Sequence, residues 1–108
     1  MAFFDESYPE KEVLPGARMR VLCGRSGRIM AVRYSFKAGT VLPRHSHPHE
    51  QVGFLVSGGG QFTLGGERRT VREGDGWQIP GGVEHGVTFT EDSVVVETFN
   101  PPREDFLI

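Results

Sequence analysis

The sequence contains a single cysteine, Cys23, so an internal disulfide is excluded. The expectation for Cys23 is a small buried core residue in a reducing compartment. Lysine is scarce: Lys11 and Lys37 stand against ten arginines. The 12 Lys+Arg are outnumbered by 14 Asp+Glu, giving a net charge of -2. That balance lacks the basic excess of a nucleic-acid surface, so no nucleic-acid partner is expected. No apolar run approaches the roughly 20 residues of a membrane-spanning helix, so no membrane association is expected. The first 13 residues carry Asp5, Glu6, Glu10, Lys11 and Glu12, with no basic stretch followed by an apolar one. They do not read as a secretory leader, and a cytoplasmic protein is expected. Helical periodicity is also missing over any useful length.

What is present is punctuation. Fifteen glycines and seven prolines are spread through the 108 residues. Between them lie short runs rich in Val, Phe, Ile and Thr, the pattern of short strands and tight turns. Strands are predicted over 19–22, 28–36, 41–45, 52–57, 61–64, 67–71, 76–79, 86–90 and 94–99. In 28–36, Met30, Val32, Tyr34 and Phe36 share one face, because successive side chains alternate along a strand. Gly65-Gly66 supplies the positive φ angles of a two-residue hairpin turn. Gly58-Gly59-Gly60 reads as a turn, not a phosphate loop, since no Lys and no helix follow. Phe36, Phe54, Phe62, Trp77 and Ile79 read as core or barrel wall. The class expected is all-β and mostly antiparallel, a barrel or jelly roll, in one domain over 1–108. Residues 1–17 read as an extended arm or edge strand.

The histidines are not scattered. His45, His47 and His49 lie within Arg44-His45-Ser46-His47-Pro48-His49-Glu50-Gln51, and His85 follows Pro80-Gly81-Gly82-Val83-Glu84. The His45-x-His47 spacing puts two imidazoles on one face of a strand. With a third from a distant strand they suit a divalent first-row metal. Pro48 breaks the register before His49, which reads as structural with a reserve role as ligand. Glu50 could compete as a ligand, although its parity differs from that of His45 and His47.

The flanking residues resemble a known family. Gly39-x5-His45-x-His47-x3-Gln51-x6-Gly58, about 39–58, is similar to the first cupin motif. Gly74-x5-Pro80-x-Gly82-x2-His85, about 74–89, is similar to the second. The resemblance implies an RmlC-like conserved β-barrel with one divalent transition metal (Ni, Zn, Fe, Mn, Co or Cu) at its mouth. It implies the ligands His45, His47, Gln51 and His85. Gln51 stands where the motif usually has Glu, and Phe89 where it usually has Asn. An all-neutral ligand set leaves the metal charge uncompensated, which favours a Lewis-acid role over oxygen chemistry.

The C-terminal residues narrow the family. On a strand over 94–99, Val95, Glu97 and Phe99 share a face. Parity alone leaves Glu97 either inside a barrel, where a carboxylate is costly and its pKa rises, or on the solvent face. Arg103 is either a site residue or a surface partner of Glu104 or Asp105. His45-x-His47-Pro48-His49-Glu50-Gln51 and Phe99-x-Pro101-x-Arg103-Glu104-Asp105-Phe106-Leu107 together resemble the small pectin-degradation cupins of the KdgF type. That resemblance runs over essentially the whole chain. It implies conversion of 4,5-unsaturated monouronates, from pectin or alginate breakdown, to linear keto forms. It places an acid, a Phe and an Arg of the catalytic site on Glu97, Phe99 and Arg103. Glu97 stands where that family usually has Asp. A homodimer and a small sugar-acid substrate are implied in the same way. Two other readings share the pocket: a cupin dioxygenase of a diketone or flavonol-type substrate, and a non-catalytic sugar-acid sensor.

Overall fold

The computed structural model describes residue 3 and residues 7–107. Ten strands follow in order: β1 Lys11–Leu14, β2 Ala17–Cys23, β3 Met30–Phe36, β4 Val41–His45 and β5 Glu50–Ser57. Then come β6 Gly59–Leu64, β7 Glu67–Arg72, β8 Gly76–Ile79, β9 His85–Phe89 and β10 Ser93–Asn100. A single 3₁₀ turn, Glu104–Phe106, follows the last strand. A six-stranded sheet has the order β1-β2-β3-β10-β5-β8, and a four-stranded sheet the order β4-β9-β6-β7. The ladders within them pair antiparallel. This is the all-β jelly roll expected from the spacing of turns.

Alternation does most of the work. In β10 every second residue is buried: Ser93, Val95, Glu97 and Phe99 face inward. In β5, Gln51, Gly53 and Leu55 face inward while Val52, Phe54 and Val56 face out. Phe54 is therefore not barrel wall; its strand parity puts it on the outer face, 48% exposed. Leu55, Val95, Phe36, Phe89, Phe62 and Trp77 fill the space between the sheets. Phe36 and Phe89 stack at 4.1 Å between ring centroids. Each such side chain withdrawn from water contributes about 1.5–3 kcal/mol. A second cluster of Met19, Val21, Met30, Val32 and Phe99 closes one end. Phe106 and Leu107 pack against it, so the C-terminal segment folds back onto this cluster.

Three local expectations need correction. Gly59 and Gly60 belong to β6 and only Gly58, at φ 96°, turns the chain. Gly60 is in the strand because backbones approach closely there: a Cβ would sit 2.6 Å from the Thr88 carbonyl oxygen. Residues 28 and 29 precede β3 rather than opening it. Cys23 is exposed rather than core, at the end of β2 beyond a register irregularity between Val21 and Cys23. The hairpin about Gly65-Gly66 is as expected, with Leu64 opposite Glu67 and Gly65 at φ 56°. Of the proposed N-terminal arm, Lys11–Leu14 forms the edge strand β1, and Ala17 already opens β2. Residues 1–2 and 4–6 of that arm lie outside the described residues.

Candidate active site

The site is assembled from both sheets. His45 ends β4 and pairs in register with His85, the first residue of β9. His47 lies just beyond β4, not on it, because the strand stops at His45. The extended chain still brings the rings together: His45 and His85 centroids are 4.3 Å apart, His47 and His85 5.0 Å. One ring nitrogen from each of the three lies within 4.8 Å of the others.

The rings are oriented by the backbone. His45 Nδ1 lies 2.8 Å from the Pro43 carbonyl oxygen, His47 Nδ1 3.0 Å from that of His49, and His85 Nδ1 2.8 Å from that of Val83. A carbonyl can only accept, so each Nδ1 carries the hydrogen and donates it. The lone pair is left on Nε2 in all three, and Nε2 of His47 and His85 is buried without a hydrogen-bond partner. Burial lowers the pKa of His47, helped by the nearby Arg103 and His85. Burial likewise lowers that of His85. Neutral imidazoles with carbonyl-fixed tautomers and orphaned Nε2 atoms are the state a divalent metal binds. These three residues could hold a metal ion. The donor set alone does not choose among first-row metals.

His49 stands apart. Its carbonyl fixes His47, but its ring nitrogens do not join the group of three within 4.8 Å. Glu50 faces outward and accepts from Gln78 Nε2 at 2.9 Å. Gln51 is buried on β5 and adjoins both His47 and Glu97, biasing the protonation of each.

Glu97 faces the interior, which resolves the parity question. It is 7% exposed and lines the same cavity as the three histidines, Gln51, Phe99 and Arg103. Burial pushes its pKa up to about 7, against the opposing pull of hydrogen bonds from Trp77 and Gln51. Trp77 Nε1 donates to Oε1 at 3.0 Å, while Oε2 is buried without a partner. Tyr34, partly buried on the same cavity wall, has its hydroxyl pKa raised by desolvation and by the Glu97 charge.

Arg103 lines the cavity and also pairs with Asp105. It makes a two-point contact with Asp105, at 3.2 Å from Nε and 3.1 Å from Nη2. Burial alone would raise the Asp105 pKa, but Arg103 outweighs it and holds it below the usual carboxylate range. The guanidinium also lies 4.4 Å from the Phe106 ring centroid and 5.4 Å from that of Phe99. Arginine carries five N–H donors, so the Asp105 pair leaves about three for the cavity. The cavity has about 80 Å³ free, well under the ~300–1,000 Å³ of drug-sized sites, so it admits a small ligand or one end of a larger one.

Comparison with known proteins bears on this geometry. The cupin domain family (Cupin_2) matches residues 32–99, more than half of the chain. The chain belongs to the cupin family. It is 31% identical over 107 residues to the pectin degradation protein KdgF of Dickeya dadantii, covering 97% of this chain and 96% of that protein. The structure of KdgF from a Halomonas species superposes with a TM-score of 0.89 at 32% identity, covering 97% of each chain. An RmlC-like cupin from Shewanella frigidimarina superposes at 0.86 with 29% identity, covering 95% of this chain and 92% of that one. Trp77 belongs to the core as expected, and it also lines the cavity and donates to Glu97, a bond that passes over Gly53. The only visible signals were the single tryptophan and a glycine inside an apolar strand run.

Proposed function

We propose that this cupin is a metal-dependent enzyme that opens the ring of 4,5-unsaturated monouronates, giving linear keto sugar acids. The observation that carries the reading is Glu97, a buried carboxyl with a pKa near 7 beside three tautomer-fixed histidines. Likeness to the pectin degradation proteins supports the choice of substrate. His45, His47 and His85, with the Gln51 side-chain oxygen, would hold one divalent metal. A metal bound there supplies Lewis-acid stabilisation of negative charge developing on substrate oxygens.

The chemistry is an isomerisation with no redox change. The hemiacetal hydroxyl gives up its proton and the C1–ring oxygen bond breaks, leaving an aldehyde and an enolate whose negative charge starts on the former ring oxygen. The C4 carbon then takes a proton. Glu97 moves protons in one or both steps, because a pKa near working pH lets it accept and donate. Arg103 holds the ring carboxylate with N–H groups not committed to Asp105, and such charge-assisted bonds are about twice as strong as neutral ones. Phe99 packs against the sugar and excludes water. The extra methylene of Glu97 relative to Asp shifts the carboxyl by about 1 Å, a displacement large enough to tune rate or substrate preference.

The reading includes a homodimer, for which exposed Val52, Phe54 and Val56 offer apolar surface on the outer face of β5. Light scattering on the purified protein decides between one copy and two. The functional test is Glu97→Gln: turnover of unsaturated galacturonate is abolished while metal content is unchanged. Full activity in that variant removes the role given to Glu97.

A further inference from the structure

Trp77, Gly53 and Glu97 form one row across three neighbouring strands. Gly53 on β5 pairs with Trp77 on β8 on one side and with Glu97 on β10 on the other. Strands in a sheet lie about 4.8 Å apart, so Trp77 and Glu97 are separated by roughly two strand spacings. A hydrogen bond between their side chains therefore has to pass over Gly53.

Gly53 is not among the glycines with positive φ, so its backbone does not demand glycine. Space does. A Cβ at position 53 would sit 2.0 Å from Trp77 Nε1, 2.2 Å from its Cε2 and 2.6 Å from Glu97 Oε2. The missing side chain is the channel through which the indole N–H reaches Oε1. From the opposite sheet, the Phe62 ring lies 4.3 Å from the Trp77 ring, centroid to centroid. The indole is thus confined by Phe62 on one side and by the Gly53 backbone on the other. One carboxyl oxygen is occupied by a rigid donor, and the second is left without a partner.

We infer that Trp77 is a positioning residue for Glu97: its indole N–H, passing over Gly53, pins Oε1 and so presents Oε2 to the substrate. The inference rests on the role proposed for Glu97. It goes beyond that role in assigning the orientation of the carboxyl to the indole N–H passing over Gly53, beside the hydrogen bond that Glu97 also receives from Gln51. A tryptophan serving only as core would tolerate loss of its N–H, since the ring would fill the same volume.

Trp77 is the single tryptophan in the chain, which makes the test clean. Biosynthetic replacement by benzothienylalanine keeps the bicyclic ring and removes the N–H at this site alone. With unsaturated galacturonate, kcat is expected to fall about 10- to 100-fold, the scale of a misplaced reacting group, with KM, metal content and melting temperature unchanged. A second readout needs no turnover. The one indole N–H resonance of ¹⁵N-labelled protein is expected downfield, and Glu97→Gln is expected to move it. A resonance indifferent to Glu97→Gln overturns the contact. An unchanged kcat in the analogue-containing protein, with Glu97→Gln inactive, overturns positioning by Trp77 and leaves the Glu97 reading standing. Full activity of Glu97→Gln overturns the underlying reading instead.

Discussion

The raised pKa of Glu97 has a thermodynamic consequence that can be measured without substrate. Consider the metal-free protein and its Glu97→Gln variant. The carboxyl moves from an ordinary 4.5 to about 7 in the folded state, chiefly because burial disfavours the charged form. Between these values the native state keeps a proton that the unfolded state has released. Stability therefore falls as pH rises through this window. The contribution is complete below 4.5 and is lost as pH passes about 7. At ~1.4 kcal/mol per pH unit, the loss is on the order of 3 kcal/mol. His47 and His85 have lowered pKa values and act with the opposite sign, gaining stability as pH rises through the ordinary histidine range. They are common to both proteins and cancel in the comparison. Urea unfolding at about pH 5 and about pH 8 gives the four free energies required. Wild type is expected to lose about 2–3 kcal/mol more than Glu97→Gln across that interval. Equal pH dependence in the two proteins would refute the buried, proton-holding carboxyl.

Other outcomes follow from the same geometry. Gly53→Ala drives a methyl into Trp77 and Glu97, and overpacking of this kind costs about 1–3 kcal/mol. Calorimetry is expected to show Tm lower by about 5–15 °C. His85→Ala removes the most buried of the three imidazoles and is expected to weaken metal binding more than about 100-fold in titration calorimetry. Arg103→Lys keeps the charge and loses the planar fork, so KM for the uronate should rise about tenfold with a smaller change in kcat. Protons compete with metal for the imidazoles. Because burial lowers the His47 and His85 pKa values, metal should be retained to a pH below the ordinary histidine value of 6.5. Metal content after dialysis across a pH series measures this.

The parts of the fold legible in the sequence were those written as alternation and punctuation. Met30, Val32, Tyr34 and Phe36 share a face as the period of two requires, and Gly65-Gly66 turns the hairpin it signals. The grouping of three histidines was legible for a related reason: His45 and His47 are one residue apart at the end of β4, and His85 pairs directly with His45. Parity alone could not say which face of β10 is the inner one. Only the flanking strands β3 and β5 decide that Glu97 is enclosed. The exposure of Phe54 and Cys23 was missed because composition reports how apolar a residue is, not which side of a sheet it occupies or where a register slips. The Trp77–Glu97 bond was invisible because it joins residues 20 apart in sequence through a gap made by a third residue, Gly53.

Turnover decides whether this cupin opens unsaturated uronates. Metal-loaded protein and chelator-treated protein are each added in trace amount to freshly prepared unsaturated galacturonate. Loss of the conjugated-acid ultraviolet band is followed against the spontaneous rate. Expected are loss well above the blank with metal, many turnovers per protein molecule, and a return to the blank after chelation. A metal-loaded rate equal to the blank would contradict this function.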